Sequence, residues 1–472
     1  MSEDTSKGTA LKAGVWYVVS SVMVKAISII TTPIFARIMS TSEYGQVSNF
    51  TSWYSILLTF CTLNLTYSIG RAKLDYPDKL DDYIGSMQLL SALVTGILSI
   101  ITLFFVESIS NFLEISVIGV VFLILYLFFT PAINFYQNGC RYRYKYKENI
   151  AIAWYIALST VILSLILMFT FDGDMATYRM IGIVIPTVIL SSVFWILSLK
   201  RGNLHVNKEY WKYGARLSGP LIIHTVSLNI LAQSDRIFIT KICGSSDAGI
   251  YSLVYNYGVM ISIITNAVAD GWLPWFHDTF YAKKYEEIRR NVKWVIILGC
   301  YVSLACVALA PEAIAILGGV KYASGVYCVA PIVMGVLCQY VYTHYVNVEM
   351  HLKKTKYTSY GTVLAAVMNI ILNAIFIPIY GFTAAAYTTL CSYIMLLFLH
   401  YFITTKVLKV EIYNDLFMFG ALLVTGIAVA ILIATYKYMR VRYAIIVIGF
   451  ISFLWAFRSY ITKYISGFRK KG

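Results

Sequence analysis

The chain has 472 residues, 59% of them hydrophobic and only 13% charged, which excludes an ordinary soluble domain. Its 38 Lys and Arg against 23 Asp and Glu leave a net charge of +15, a balance that in a soluble protein would suggest nucleic acid. Here the cations fall in short links between apolar runs, so the sequence describes an all-α polytopic membrane protein.

A membrane-crossing helix needs about 20 mostly apolar residues, and about fourteen segments qualify. In chain order they are Ala13 to Ile38, Tyr44 to Ile69, Tyr83 to Val106, Ser116 to Asn138, Asn149 to Phe171, Ala176 to Leu199 and Tyr213 to Thr240. Then follow Gly249 to Trp275, Val292 to Ala310, Val326 to Val348, Thr358 to Ile379, Phe382 to Lys406, Tyr413 to Tyr436 and Tyr443 to Ile461. With both termini placed inside, about 29 cations fall on the inner side and about 7 on the outer, the bias expected of an even number of spans. Met1 to Lys7 is polar and acidic, unlike the start of a cleavable signal. The eight cysteines lie mostly in apolar runs without a C-x-x-C pair, which argues against a disulfide framework or a zinc site. The links are short, so function must sit among the helices. The longest inner link, His277 to Asn291, suits a short amphipathic helix lying at the interface between the two halves. The run Arg141, Tyr142, Arg143, Tyr144, Lys145, Tyr146, Lys147 reads as an interfacial anchor rather than an RNA-stacking element.

One stretch occurs twice. Sliding Pro33 to Thr51 onto Ser234 to Tyr255 by about two hundred residues pairs Arg37 with Lys241, Ser42 with Ser246, Glu43 with Asp247, Gly45 with Gly249 and Ser48 with Ser252. In each copy an apolar helix ends in a cation, turns over a short Ser-acid-x-Gly link and enters a second apolar helix. Parallel internal repeats of this kind are a feature of several transporter folds.

Three places resemble a known family: A-R-I-M-S-T-S-E-Y-G (Ala36 to Gly45), the stretch Gly214 to Tyr255 with Gly219-Pro220, Asp235-Arg236 and D-A-G-I-Y-S, and N-I-I-L-N-A-I-F-I-P-I-Y-G-F-T-A-A-A-Y-T-T (Asn369 to Thr389). They resemble the Wzx or O-antigen flippases, which move polysaccharide repeat units within the multidrug/oligosaccharidyl-lipid/polysaccharide (MOP) exporter superfamily. Thr383 departs from the pattern, standing where a second glycine is common. The resemblance implies two six-helix bundles facing each other in a V, with two extra C-terminal helices, working by alternating access. The corresponding segments are 1–199, 200–406 and 407–472, the last including a basic tail. The implied cargo is an undecaprenyl-diphosphate-linked oligosaccharide of an O-antigen, capsular or exopolysaccharide pathway, moved from the cytoplasmic to the outer leaflet of a bacterial inner membrane. The implied partners are membrane lipid, a polysaccharide polymerase and a chain-length regulator, with no nucleic acid. No cofactor is expected beyond coupling to an H+ or Na+ gradient.

Such a cargo needs partners for its hydroxyls and cations for its diphosphate. Lys25 lies about 12 residues from both Lys12 and Arg37, near mid-depth, about 18 Å from either by helical rise. A charge there is normally tolerated only toward a cavity or partner. The repeat sets Lys25 opposite Asn229. Arg71 and Arg216 sit at the cytoplasmic mouth, either as docking groups for the diphosphate or as plain topology anchors. Asn369 and Asn373 share a helix face, suited equally to sugar contacts and to interhelical hydrogen bonds. Asp235 and Arg236 read as a local ion pair holding an outer gate. Arg37 and Lys241 either serve that gate through Glu43 and Asp247 or cap helix C-termini. Asp270 and Glu349, the latter near His344, are the acids placed to couple an ion.

An enzyme would need a nucleophile with its base, paired acids or a metal-binding acidic cluster, and the scattered acids offer none. The nearest rival is a MOP relative exporting another lipid-linked precursor or a small solute. A membrane polymerase or transferase of polysaccharide assembly ranks below it. A cation exporter should carry acids in its cleft, whereas this chain carries mainly bases.

Overall fold

In the computed structural model, residues 3–201 and 204–469 are described, and they form eighteen α-helices. These are α1 (Glu3–Ile38), α2 (Thr41–Thr62), α3 (Ile69–Asp75), α4 (Leu80–Phe104), α5 (Val106–Leu113), α6 (Val117–Tyr142), α7 (Tyr146–Thr170), α8 (Met175–Lys200) and α9 (Lys208–Cys243). They continue with α10 (Ser245–Gly258), α11 (Ile261–Tyr281), α12 (Tyr285–Ala308), α13 (Ala310–Leu317), α14 (Val329–His351), α15 (Thr355–Tyr380), α16 (Thr383–Phe402), α17 (Asp415–Ala434) and α18 (Met439–Arg469). Among the described residues, eleven stretches are long and apolar enough to cross a membrane, with α10 and α11 counted as one. The long helices α1, α2 and α9 fall outside those eleven. The repeat motif runs through these three helices and into α10, and their Ser, Thr, Asn and charged residues lower their apolar content.

The repeat extends well beyond its motif. Ser48 and Ser252, 204 residues apart, set the offset. At nearly the same offset α1 maps onto α9, α4 onto α12, and the eight-residue α5 onto the eight-residue α13. The order of α6, α7 and α8 is then repeated by α14, α15 and α16, which leaves α17 and α18 as additions.

By contact density the chain divides into two compact units, Met1–Leu253 with Ser359–Ala385, and Val254–Thr358 with Ala386–Gly472. In the first, Phe50, Leu113, Val120, Leu123, Met180 and Val184 form one buried cluster, and Leu65, Ile69, Tyr83, Met87 and Tyr210 another. In the second, Tyr322, Tyr345 and Phe276 are among the largest fully buried side chains.

One expected element is corrected. The link 277–291 is not a separate amphipathic helix: α11 runs to Tyr281, Lys283 turns the chain with φ +58°, and α12 starts at Tyr285. The apolar periodicity of the two flanking helices carries through the charged link and leaves only a tight turn between them.

Candidate functional site

The repeated segments meet within the first unit. Ser40 caps α2 in a reciprocal box, its Oγ accepting from the Glu43 amide at 3.2 Å while Glu43 Oε2 accepts from the Ser40 amide at 2.7 Å. The same end of α2 packs on the start of α10, and here glycine is required twice. A Cβ at Gly45 would lie 1.8 Å from the Ser245 carbonyl oxygen, and one at Gly249 would lie 1.9 Å from the Thr41 carbonyl oxygen. Thr41 and Ser245 are themselves repeat partners, so the crossing is reciprocal about a local two-fold axis. The hydroxyls of Ser48 and Ser252 share a hydrogen bond at 2.6 Å, and those of Thr41 and Ser246 one at 2.8 Å.

From that crossing a line of small polar groups follows α2. Ser52 Oγ donates to Gln233 Oε1 at 3.1 Å, Asn229 Nδ2 to Thr59 Oγ1 at 2.8 Å, and Asn64 Nδ2 to Thr225 Oγ1 at 3.2 Å. Thr41, Ser48, Ser52 and Thr59 fall close to one face of α2, and Asn64 follows just past its end. By helical rise the 23 residues from Thr41 to Asn64 cover about 35 Å, the hydrocarbon thickness of a bilayer and a little more. Two apolar faces would have packed without these hydroxyls and amides. A seam made of them can instead be rehydrated when it parts, because each group exchanges a protein partner for water.

Beside the seam lies a buried polar cluster. Asp235, 1% exposed, accepts from the Tyr251 hydroxyl at 2.6 Å and from Asn373 Nδ2 at 2.8 Å. Asn373 also donates to Asn369 Oδ1, which accepts from Ser234 Oγ at 2.7 Å. Next to it on α9, Arg236 donates to Gln233 Oε1 at 2.8 Å and to the Ala232 carbonyl, and Gln233 links Arg236 to Ser52 and the seam. The expected residues Asp235, Asn369 and Asn373 thus share one network, while the expected Arg236 lies in the adjacent one through Gln233 and the expected Asn229 pairs with Thr59 on the seam. Gln233, which holds Arg236, and Tyr251, which holds Asp235, are not singled out by the sequence. Their spacing of two residues before Asp235 and sixteen after it gives no periodic signal.

The cations are more dispersed. Lys25 is half-buried on α1 with no ion pair among the described residues. Arg71 is exposed on α3, its Nε 3.0 Å from Asp75 Oδ2, and the Tyr213 hydroxyl of α9 donates to the same oxygen at 2.5 Å. That tyrosine hydrogen bond, with the Arg71 guanidinium, holds the Asp75 carboxyl below the usual carboxylate range. Arg216 is exposed on α9, three residues beyond Tyr213. Arg37 and Lys241 are exposed in the last turns of α1 and α9, and the Lys241 ammonium lies 5.0 Å from the centre of the Phe112 ring. Glu43 and Asp247 occupy the first turns of α2 and α10, where a carboxylate complements the helix dipole. Glu43 Oε1 also accepts from the Met175 amide at 3.2 Å.

In the second unit, Asp270 is exposed on α11. Glu349 is fully buried, accepting from Thr358 Oγ1 at 3.1 Å and facing His400 Nδ1 at 2.8 Å, with His400 fully buried as well. His344, the histidine nearest Glu349 in sequence, sits instead among the rings of Trp272, Tyr340 and Tyr413.

The comparisons with known proteins agree with this architecture. A family described as "Polysaccharide biosynthesis protein" matches residues 10–280. The chain is 20% identical over 301 residues to "Lsg locus putative protein 1" of Haemophilus influenzae, covering 60% of this chain and 70% of that one. Among solved structures it is similar to "Lipid II flippase MurJ, inward closed conformation", with a TM-score of 0.69, 14% identity, and 94% and 99% of the two chains covered. It is also similar to an inward-facing multidrug resistance MATE family transporter of the MOP superfamily, with a TM-score of 0.56, 12% identity, and 92% and 97% covered. These neighbours are transporters and flippases rather than enzymes, and at such identities they show a shared fold. The apolar helices, the repeat and the matched family lead to one statement: the chain is a multi-pass membrane protein of the polysaccharide biosynthesis protein family.

Proposed function

We propose that the protein is a flippase carrying a lipid-linked polysaccharide precursor from the cytoplasmic to the outer leaflet of a bacterial inner membrane. The observation that carries this reading is the polar seam along α2, made by the repeat, in a chain whose family is polysaccharide biosynthesis and whose fold is that of a lipid II flippase. The cargo is an undecaprenyl-diphosphate-linked oligosaccharide. Both termini are cytoplasmic, and the Gly45–Gly249 crossing lies toward the outer face, where it closes the path. Parting of the seam exposes its hydroxyls and amides to the sugar, replacing water as partners. The unpaired cation on α1, Lys25, attracts the diphosphate at mid-depth, while Arg71 and Arg216 receive it at the cytoplasmic mouth. The prenyl chain stays in lipid.

The test is a strain lacking this protein, complemented with wild type or with Lys25→Ala, Arg71→Ala or Arg216→Ala at matched expression. Undecaprenyl-linked sugar on the inner leaflet and polymer at the surface are both measured. Accumulation of the lipid-linked unit with loss of surface polymer in the deletion supports the reading. Surface polymer that persists unchanged, or lipid-linked units that never form, refutes it.

A further inference from the structure

A second site lies apart from the seam, within the first unit. Three helices, two of them with the residue that caps them, each supply four residues at the spacing of a single helical face. From α4 come Asp81, Ile84, Gly85 and Gln88, from α6 and the residue that caps it Tyr136, Gly139, Cys140 and Arg143, and from α8 and the residue that caps it Phe194, Leu197, Ser198 and Arg201. The three stripes, with Lys145, line a pocket of about 570 Å³ including its open mouth. The charged residue of each stripe stands at the rim.

The rim is cationic on balance. Arg143 Nη2 lies 2.6 Å from Asp81, and Lys145 Nζ lies 3.2 Å from Glu148, whose carboxylate also accepts from the Tyr136 hydroxyl at 2.7 Å. Arg201 is exposed and joins no ion pair among the described residues. The floor is polar but unfilled. Gln88 is 3% exposed, and while its Oε1 faces Ser198 Oγ at 3.4 Å, its Nε2 is buried without an acceptor. A buried amide donor left unpaired is costly, and its usual explanation is a missing partner. Seven residues separate Gln88 from Asp81 along α4, so the floor lies about 10 Å below the rim by helical rise. The walls between them are Ile84, Leu197 and Phe194.

We propose that this pocket binds a phosphoglycerol headgroup, with the phosphate among Arg143, Lys145 and Arg201 and the terminal glycerol hydroxyls meeting Ser198 and the Gln88 amide, which turns to bring Nε2 to them. The depth decides this shape. A bare phosphate held at the rim leaves the floor donor unmatched, whereas a phosphodiester with a polyol beyond it satisfies both levels. Basic pockets between membrane helices on the cytoplasmic side are a recurring solution for anionic headgroups. The basic-aromatic run 141–147 supplies two of the three cations, which gives it a role more specific than anchoring. The placement on the cytoplasmic side rests on the flippase topology, but the binding itself does not need the protein to transport anything.

The test uses the full chain in neutral detergent and reads lipid retention by native mass spectrometry. Phosphatidylglycerol, phosphatidic acid and phosphatidylcholine are offered in turn, with soluble glycerol 3-phosphate as competitor. Wild type should retain phosphatidylglycerol over phosphatidylcholine. Arg201→Gln should weaken that roughly fivefold, the effect of one cation near a membrane surface, while Lys79→Gln on a neighbouring link should not. Gln88→Leu should lower retention of phosphatidylglycerol but leave that of phosphatidic acid, which lacks the head glycerol. Displacement by glycerol 3-phosphate at matched concentration keeps the chemistry and assigns a soluble source. Equal losses for Arg201→Gln and Lys79→Gln, or an unchanged lipid preference in Gln88→Leu, overturn the proposal. Because Arg201 is exposed, its variant tests the rim even if Gln88→Leu does not fold.

Discussion

Replacing Gly45 by alanine tests the repeat crossing most directly. The new Cβ would stand 1.8 Å from the Ser245 carbonyl oxygen and 2.8 Å from the Gly249 amide nitrogen, both backbone atoms that cannot rotate away. Ordinary contact begins at 3.4 Å, so α2 and α10 must separate by about 1.6 Å at this point. Forcing extra volume into a close-packed contact costs about 1–3 kcal/mol, which shifts a two-state equilibrium away from the closed crossing by roughly 5- to 150-fold. The separation is readable through Ser48 and Ser252, whose hydroxyl oxygens are 2.6 Å apart. In a background with the native cysteines replaced, Ser48→Cys with Ser252→Cys should cross-link readily under mild oxidation. Adding Gly45→Ala should reduce the cross-linking rate at least about fivefold and lower surface polymer in the complementation assay. Gly96→Ala, at a position with no neighbour within 4 Å, is the matched control. If Gly45→Ala cross-links and transports as Gly96→Ala does, the crossing is not a closed gate and the reasoning fails.

Three further outcomes follow from the site. Lys25→Ala should abolish surface polymer at normal protein level while Lys25→Arg retains most of it, since the proposed task is charge at depth; equal loss in both would point to packing instead. Tyr251→Phe removes one donor from the buried Asp235 carboxylate and should cost about 1.5–3 kcal/mol, lowering the thermal midpoint in detergent; an unchanged midpoint would show that water replaces the hydroxyl. Asp75 has its carboxyl held low by Tyr213 and Arg71, so its contribution to stability is present above the unfolded value near pH 4 and is lost as pH falls through the lower folded value. Melting curves of wild type and Asp75→Asn should therefore differ at neutral pH and converge in acid, and a difference that persists in acid would assign the effect to packing.

Much of this architecture is legible in the chain because lipid enforces it. Backbone groups in hydrocarbon must bond within their own helix, so apolar run length marks the helices, and the runs 146–170 and 415–434 could hardly be anything else. The repeat was visible because Gly45 and Gly249 are held by backbone geometry that no other residue satisfies. Pairing between distant helices is a different matter. Spacing places Asp81, Gln88, Arg143 and Arg201 each on a face, yet it does not say that the three faces converge. Nor does it join Glu349 to His400, 51 residues away, in preference to His344, five residues away on the same helix. The link 277–291 misled because a charged stretch between two amphipathic helices has the composition of an interfacial helix, whereas one left-handed residue, Lys283, suffices to turn the chain.

The reciprocity of the glycine crossing has a genetic consequence. The obstacle to a side chain at Gly45 is the carbonyl of Ser245, and the obstacle at Gly249 is the carbonyl of Thr41, so both clashes are relieved by the same parting of the same two helices. The double alanine variant should then lose little more than either single one, with strong positive epistasis between positions 204 residues apart. Two substitutions that look independent along the sequence are, at this crossing, one perturbation made from either side.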